Sequence, residues 1–275
     1  MMRFSTGAIA AIVAALAGCA PAPQPGPSAV LISANGIEFD GLGAASQNRV
    51  DQGRTAGDLY TNCVVPGIEY GDDGFLKRDI ALQSIALGRD PALASARIAR
   101  AGAELATTQW DSAIADLSAV IQTRPSEQQA PGMLESAFLM RSEVYEKKRL
   151  YTLAIADDTQ AISIDPANSV PWNGRCWHRA IIGELTSALA DCDQALLLSP
   201  NSAMVLDSRA FVYLKMRDYG AAITGYQAAL QRSPRQAGSL YGLGLAKQAA
   251  GEAGAEGDFA TATKIDPKIA SDFGT

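Results

Sequence analysis

The residues of this chain that could do chemistry are few: four cysteines, one histidine, and a set of evenly spaced arginines and aspartates. Cys176 and Cys192 stand sixteen residues apart, and Arg100, Arg141 and Arg175 are each followed sixteen residues later by an acid, Asp116, Asp157 and Asp191. A guanidinium facing a carboxylate makes charge-assisted hydrogen bonds, and two cysteines brought together can be cross-linked. Both sets are therefore candidate ties between elements. Catalysis has less to work with. His178 is the single histidine, so a zinc or copper site lacks its ligands. A Ser–His–Asp arrangement would hang on this one imidazole, set between Trp177 and Arg179. Gly41-Leu42-Gly43 lacks the remainder of a phosphate-binding fingerprint, and Asp72-Asp73 reads as a solvated polar turn. No metal or cofactor is implied, and the chain is not read as an enzyme.

The elements that must position these residues follow from composition and rhythm. Of 275 residues 48% are hydrophobic but only 7% aromatic, much of the apolar content being alanine. Alanine has the highest helix propensity and lets helices approach closely, which points to packed helices. The net charge of −6 leaves no surplus of Lys and Arg to displace counterions from phosphates, which excludes nucleic acid as a partner.

Prolines set the rhythm. Pro91, Pro125, Pro166, Pro200, Pro234 and Pro267 are separated by 34, 41, 34, 34 and 33 residues. The spacing of 41 is one period plus an insertion of seven, placed within Ser126 to Leu134, where Pro131-Gly132 marks a turn. Counting each repeat from 31 residues before its closing proline puts Ala113, Ala154, Ala188 and Ala222 at position 20, and Val120, Ala161, Ala195 and Ala229 at position 27. Position 8 is Ala101, Ser142, Cys176 and Ala210, and position 17 is Trp110, Tyr151, Leu185 and Tyr219. A fifth repeat, one residue short, supplies Leu240, Gly244, Ala255, Phe259 and Ala262 at the equivalent places.

This pattern resembles the tetratricopeptide repeat (TPR), over about two thirds of the chain. The resemblance implies an all-α fold: a TPR-type α-solenoid of about five helix-turn-helix units over residues 91–275. Small residues let the two helices of a unit approach, bulky ones fill the gaps, and proline ends each unit because it cannot continue a helix. The pattern departs from the family at Arg97, Glu104, Arg179 and Lys247. A lone helix at 75–90 is expected to cap the first unit, as stacked repeats require. Within this frame the arginines take position 7 and their acids position 23, which face each other across the hairpin. A ladder of ion pairs is expected, Arg100 with Asp116, Arg141 with Asp157 and Arg175 with Asp191. Arg209 stands opposite Gly225 and must find another partner or stay free. Cys176 and Cys192 fall at positions 8 and 24, near the closest approach of the two helices. They are read either as a disulfide or as two buried thiols, with an oxidising setting favouring the disulfide. The resemblance also implies a concave face, lined by positions 5 and 9 of each first helix, that holds a partner segment. Those places carry Asn173, Trp177, Asp207, Phe211, Tyr241 and Leu245 in the last three repeats, an aromatic strip of the kind that anchors interfaces. The alternative for each ring is packing between neighbouring repeats.

The first eighteen residues are read as a signal peptide. Arg3 precedes an apolar run from Gly7 to Leu16, too short to span a bilayer, which takes about 20 residues. Leu16-Ala17-Gly18-Cys19 resembles the bacterial lipobox, which implies cleavage before Cys19, lipidation of that cysteine, and, because Ala20 is not Asp, sorting to the outer membrane. The alternative is an ordinary secretory signal. Residues 19–74 begin with Pro21, Pro23, Pro25 and Pro27, an extended tether, and continue as an irregular segment in which Val30-Leu31-Ile32 is a short strand or packs on the first helices. Export would place Cys63, Cys176 and Cys192 where disulfides persist. The expected function is a membrane-tethered periplasmic scaffold that binds a protein or peptide of the cell envelope. The alternative is a self-associating structural protein whose groove is filled by its own N-terminal segment or a second copy.

Overall fold

The computed structural model describes residues 30–33, 36–39, 74–90, 93–123 and 132–272. The expected signal peptide, Cys19, the proline tether and Cys63 lie outside the described residues. Val30–Ser33 (β1) and Gly36–Phe39 (β2) form an antiparallel hairpin with Val30 opposite Phe39, so the Val30-Leu31-Ile32 run is a strand. The remaining described residues are helices and their turns.

The chain divides into two compact bodies, one ending at Val144 and the other starting at Tyr145. In the first, helix α1 (Gly74–Arg89) precedes α2 (Ala94–Ala106) and α3 (Trp110–Thr123). Most of α4 (Met133–Lys147) also belongs here. Ile98, Leu105, Leu117, Val120, Met140 and Val144 make one core with Ala101, Ala113 and Ala137. Helix α1 packs on α2 through Ala86, Leu87 and Ala96.

The second body contains α5 (Tyr151–Ile164), α6 (Ser169–Ile182), α7 (Leu185–Leu198), α8 (Ala203–Met216), α9 (Tyr219–Arg232), α10 (Ala237–Ala250), α11 (Ala255–Ile265) and the short α12 (Ile269–Asp272). Each helix packs on the next, and α8 also touches α6 and α10, so the first helices of successive repeats lie side by side. This is the all-α, TPR-type arrangement that the resemblance to the repeat family implied.

Local sequence explains the breaks. Across the proline turns the same backbone bond recurs, Asn168 N–H to Asp165 C=O, Ser202 to Ser199, Gln236 to Ser233 and Ile269 to Asp266. Asn168, Ser202 and Asp218 then cap the following helices with their side chains, satisfying donors that a helix start leaves open. The turn inside each hairpin falls at position 15 of the repeat, where the backbone is always left-handed. Gly183 and Gly251 take it without a side-chain clash, whereas Thr108, Arg149 and Arg217 hold positive φ of 62°, 58° and 65°. The small positions are buried in every repeat: Ala101, Ser142, Cys176 and Ala210 at position 8, and Ala113, Ala154, Ala188 and Ala222 at position 20.

Candidate functional site

The sixteen-residue ladder is present where both partners share a body. Arg100 donates from Nε to Asp116 Oδ2 at 2.6 Å and from Nη2 to Oδ1 at 2.8 Å. Arg175 makes the same fork on Asp191, at 2.9 Å to Oδ2 and 2.7 Å to Oδ1. Both acids are buried, and a bidentate pair fixes the angle between the helices as well as their separation. Arg141 and Asp157 belong to different bodies; within its own body Arg141 donates to Ser118 Oγ at 2.8 Å.

Sequence reasoning looked only forward from each arginine, and the structure adds a partner behind it. Arg100 donates to Ser84 at 3.1 Å, and Arg175 to Thr159 at 3.1 Å, each sixteen residues earlier. Ser118 stands the same distance before Arg141 once the seven inserted residues are removed. All three hydroxyls occupy position 25 of the preceding repeat. In the fourth repeat the acid itself has moved to that place: Arg209 donates to Asp193 at 2.7 Å. Gly225 cannot be the acid, because a Cβ there would lie 2.9 Å from the Ala210 Cβ. Arg100 and Arg175 thus each tie three helices together, two of their own repeat and one before it, while Arg141 and Arg209 bond to the helix of the repeat before.

The departures from the family pattern attach to the same acids. Arg97 at position 4 donates to Asp116 at 2.9 Å, and Arg179 at position 11 donates to Asp191 at 2.6 Å. In the fifth repeat Lys247, also at position 11, donates to Asp258 at 2.7 Å. Glu104 is buried beside Arg100 at 3.9 Å. Burial and the Asp116 charge raise its pKa to about 7, against the pull of Arg100.

Cys176 and Cys192 form a disulfide with Cα atoms 5.3 Å apart. Closing a loop of this length contributes about 3 kcal/mol in the chain-entropy model. His178 is buried between two carboxylates rather than placed for catalysis: Nδ1 lies 2.8 Å from Asp158 Oδ2, and Nε2 lies 3.5 Å from Glu146 Oε2. Burial works against the charged ring, but the two acids prevail and raise its pKa to about 9. Gly174 makes room for the pair, since a Cβ there would meet Asp158 Oδ1 at 3.1 Å.

The row of groove residues lies on α6, α8 and α10 but is less open than the sequence reading expected. Asn173, Trp177 and Tyr241 are only 4%, 9% and 8% exposed. The cause is mutual packing: Trp177 lies against Phe211 with ring centroids 4.7 Å apart, and Tyr241 against Phe259 at 5.0 Å. Asp207, Phe211 and Leu245 keep partial exposure. The aromatic strip is therefore a stacked row with an open edge, and beside it lies an exposed residue that the sequence reading passed over, Lys215, whose Nζ is 5.9 Å from the Phe211 ring centre. Its position 13 in the fourth repeat was the signal. The Ser239 hydroxyl donates to Asp207 Oδ1, while the Trp177 indole N–H and the Tyr226 hydroxyl are buried with no hydrogen-bond partner among the described residues. Among the described residues no cluster of His, Cys, Asp and Glu could hold a metal ion, and no helix is long and apolar enough to cross a membrane.

No family model matches the chain. The chain is similar to the mitochondrial import receptor subunit TOM70 of Homo sapiens, with 25% identity over 165 residues, 57% of this chain and 27% of the relative. It is also similar to the Hsp70-Hsp90 organizing protein of Triticum aestivum, with 31% identity over 126 residues, 42% of this chain and 22% of the relative. The chain spans about a quarter of the length of each. Among solved structures, a tetratricopeptide repeat protein from Parabacteroides merdae superposes with a TM-score of 0.59 at 15% identity, over 74% of this chain and 82% of that one. With hairpins at this spacing and these small positions buried, the chain has the helical-hairpin fold of tetratricopeptide-repeat proteins.

Proposed function

We propose that this protein is a membrane-tethered periplasmic scaffold whose row of first helices, α6, α8 and α10, binds an extended or helical segment of a cell-envelope protein. The carrying observation is the stacked row of Trp177 and Phe211 with Asp207 on the same face of α8. Asp207 and Phe211 are four residues apart, which puts both on one side of that helix. Aromatic anchors beside hydrogen-bonding groups are the usual source of binding energy in such interfaces, and the Trp177 N–H has no acceptor among the described residues. Similarity to proteins named as an import receptor and as an organizer of Hsp70 and Hsp90 supports a protein-binding role. The tether is proposed from the N-terminal sequence, with Cys19 as the lipid attachment point.

Crosslinked pull-down from intact envelopes tests the binding face. The native chain is compared with a Trp177→Ala, Phe211→Ala, Tyr241→Ala variant whose circular dichroism is unchanged. A partner captured by the first and lost by the second is the expected result; equal capture would move the binding surface elsewhere. Labelling with radioactive palmitate tests the tether, since Cys19→Ser is expected to abolish incorporation and release the protein from membranes.

A further inference from the structure

In the body that starts at Tyr145 each helix packs on the next and reverses direction, so the turns inside the repeats share one edge and the proline turns share the other. The first edge holds four exposed large apolar side chains. Leu150 and Leu153, at the start of α5, are 40% and 46% exposed; Ile182, at the end of α6, and Met216, at the end of α8, are each 42% exposed. Neighbouring helices stand about 8–10 Å apart, so these residues of three successive repeats form a row. Basic residues share the same turns. Arg149 and Arg217 are exposed beside Leu150 and Met216, and Lys147, Lys148 and Lys215 flank them. Both arginines take the left-handed position 15, at φ of 58° and 65°, where Gly183 and Gly251 stand in the third and fifth repeats. A side chain is disfavoured there, and bonds from the Leu150 N–H to the Tyr145 carbonyl and from the Asp218 N–H to the Tyr213 carbonyl hold the two turns in that form. Two turns therefore carry a guanidinium at their tips. Of the acids on this edge, Glu184 lies 3.5 Å from Arg179, Asp218 caps α9, and Glu252 belongs to the repeat beyond the row. The proline edge is arranged differently. Its exposed apolar residues, Val170, Leu197 and Leu198, lie in segments 164–171 and 196–204, which hold no lysine or arginine. Its basic residues, Arg232, Arg235, Lys264 and Lys268, stand in later turns with no exposed large apolar side chain.

Aliphatic tips interleaved with arginine and lysine suit the boundary between lipid headgroups and acyl chains, where apolar groups enter and cations meet phosphates. The basic character is local, since the chain as a whole carries −6. We propose that the turn edge formed by Arg149, Leu150, Leu153, Ile182, Met216 and Arg217 docks on an anionic lipid surface. Four apolar side chains and a few cations make a shallow, reversible contact rather than an anchor. A chain already held at the surface needs no more, because attachment turns docking into an intramolecular step at high effective concentration. Docking by the turns sets the helices on end and leaves the row of α6, α8 and α10 open to a partner. The inference does not rest on the reading of that row as a binding face.

The test is hydroxyl-radical footprinting of the full chain held on vesicles through an N-terminal hexahistidine and a nickel-chelating lipid, so that attachment depends neither on this edge nor on Cys19. Vesicles of phosphatidylcholine are compared with vesicles that also contain phosphatidylglycerol. Oxidation of Met216 is expected to fall at least five-fold on the anionic vesicles relative to the neutral ones. Leu197, 75% exposed on the opposite edge, is expected to stay as reactive as in solution. Arg149→Gly combined with Arg217→Gly keeps the left-handed turns, as Gly183 and Gly251 do, and is expected to return Met216 oxidation to its level on neutral vesicles. Met216 equally reactive on both vesicles, as it would be if this edge received a protein segment instead, would overturn the docking surface while sparing the groove and the tether. Equal protection of Met216 and Leu197, or protection that survives the double substitution, would overturn it as well.

Discussion

His178 shows how one residue can be read wrongly from its type and rightly from its surroundings. A lone histidine in a helix invites a catalytic reading, but Asp158 at 2.8 Å and Glu146 at 3.5 Å make it a buried imidazolium held by two carboxylates. Glu146 stays ionised for the complementary reason: burial opposes its charge, but the His178 ring lowers its pKa. The sign of the pH dependence follows. A histidine whose folded pKa, about 9, exceeds the unfolded value of 6.5 contributes stability that is complete below the unfolded value and lost as pH rises through the folded one. Urea unfolding should therefore show stability falling between pH 6.5 and pH 9, by an amount of order 3 kcal/mol. The His178→Asn protein should be less stable at pH 6 and nearly flat across that window. A native profile with no slope there would show that the ring is neutral in the folded protein.

At the scale of elements, the arginine row separates strong ties from weak ones. Asp191 is buried and receives both Arg175 and Arg179, with side-chain exposures of 4%, 12% and 23%. Replacing it with alanine strands two guanidinium groups, and breaking a buried pair in this way costs roughly 3–5 kcal/mol. Asp193 lies sixteen residues before Arg209 rather than after it, and exposures of 49% and 35% put that pair largely in water. Asp193→Ala should cost about 1 kcal/mol or less. Chemical denaturation of the two variants checks the contrast, and equal losses would contradict the burial argument. The same row marks what the sequence made legible. Helix pairs, their turns and the Arg100–Asp116 and Arg175–Asp191 forks follow from a constant spacing, because a hairpin of fixed length brings fixed positions together. The backward bonds to Ser84, Thr159 and Asp193 depend on how one repeat stacks on the one before, which no spacing within a single repeat encodes. The burial of Trp177 and Tyr241 was hidden for the same reason: a ring at position 5 or 9 can face outward or lean on its neighbour, and only the stacked helices decide.

At the scale of the whole molecule, the body that starts at Tyr145 carries the disulfide, the buried histidine and the candidate binding face. Its helices form a chain of neighbour contacts, and stability in such an array is close to a sum of local terms. Reduction of Cys176–Cys192 should lower the stability of the third repeat by about 3 kcal/mol, and thermal unfolding followed by circular dichroism with and without a reductant would measure it; an unchanged midpoint would mean that the cross-link adds nothing to the hairpin's stability. The cross-link also has a mechanical meaning. A chain pulled from its two ends pays out as its helices peel apart, but the sixteen-residue stretch between Cys176 and Cys192 is shunted by a bond whose Cα atoms are 5.3 Å apart. That stretch would otherwise add about 55 Å of extended contour, at ~3.4 Å per residue. An oxidised molecule under such a load therefore has a shorter reach than a reduced one, and retains one closed hairpin from which the neighbouring helices can re-form when the load is released.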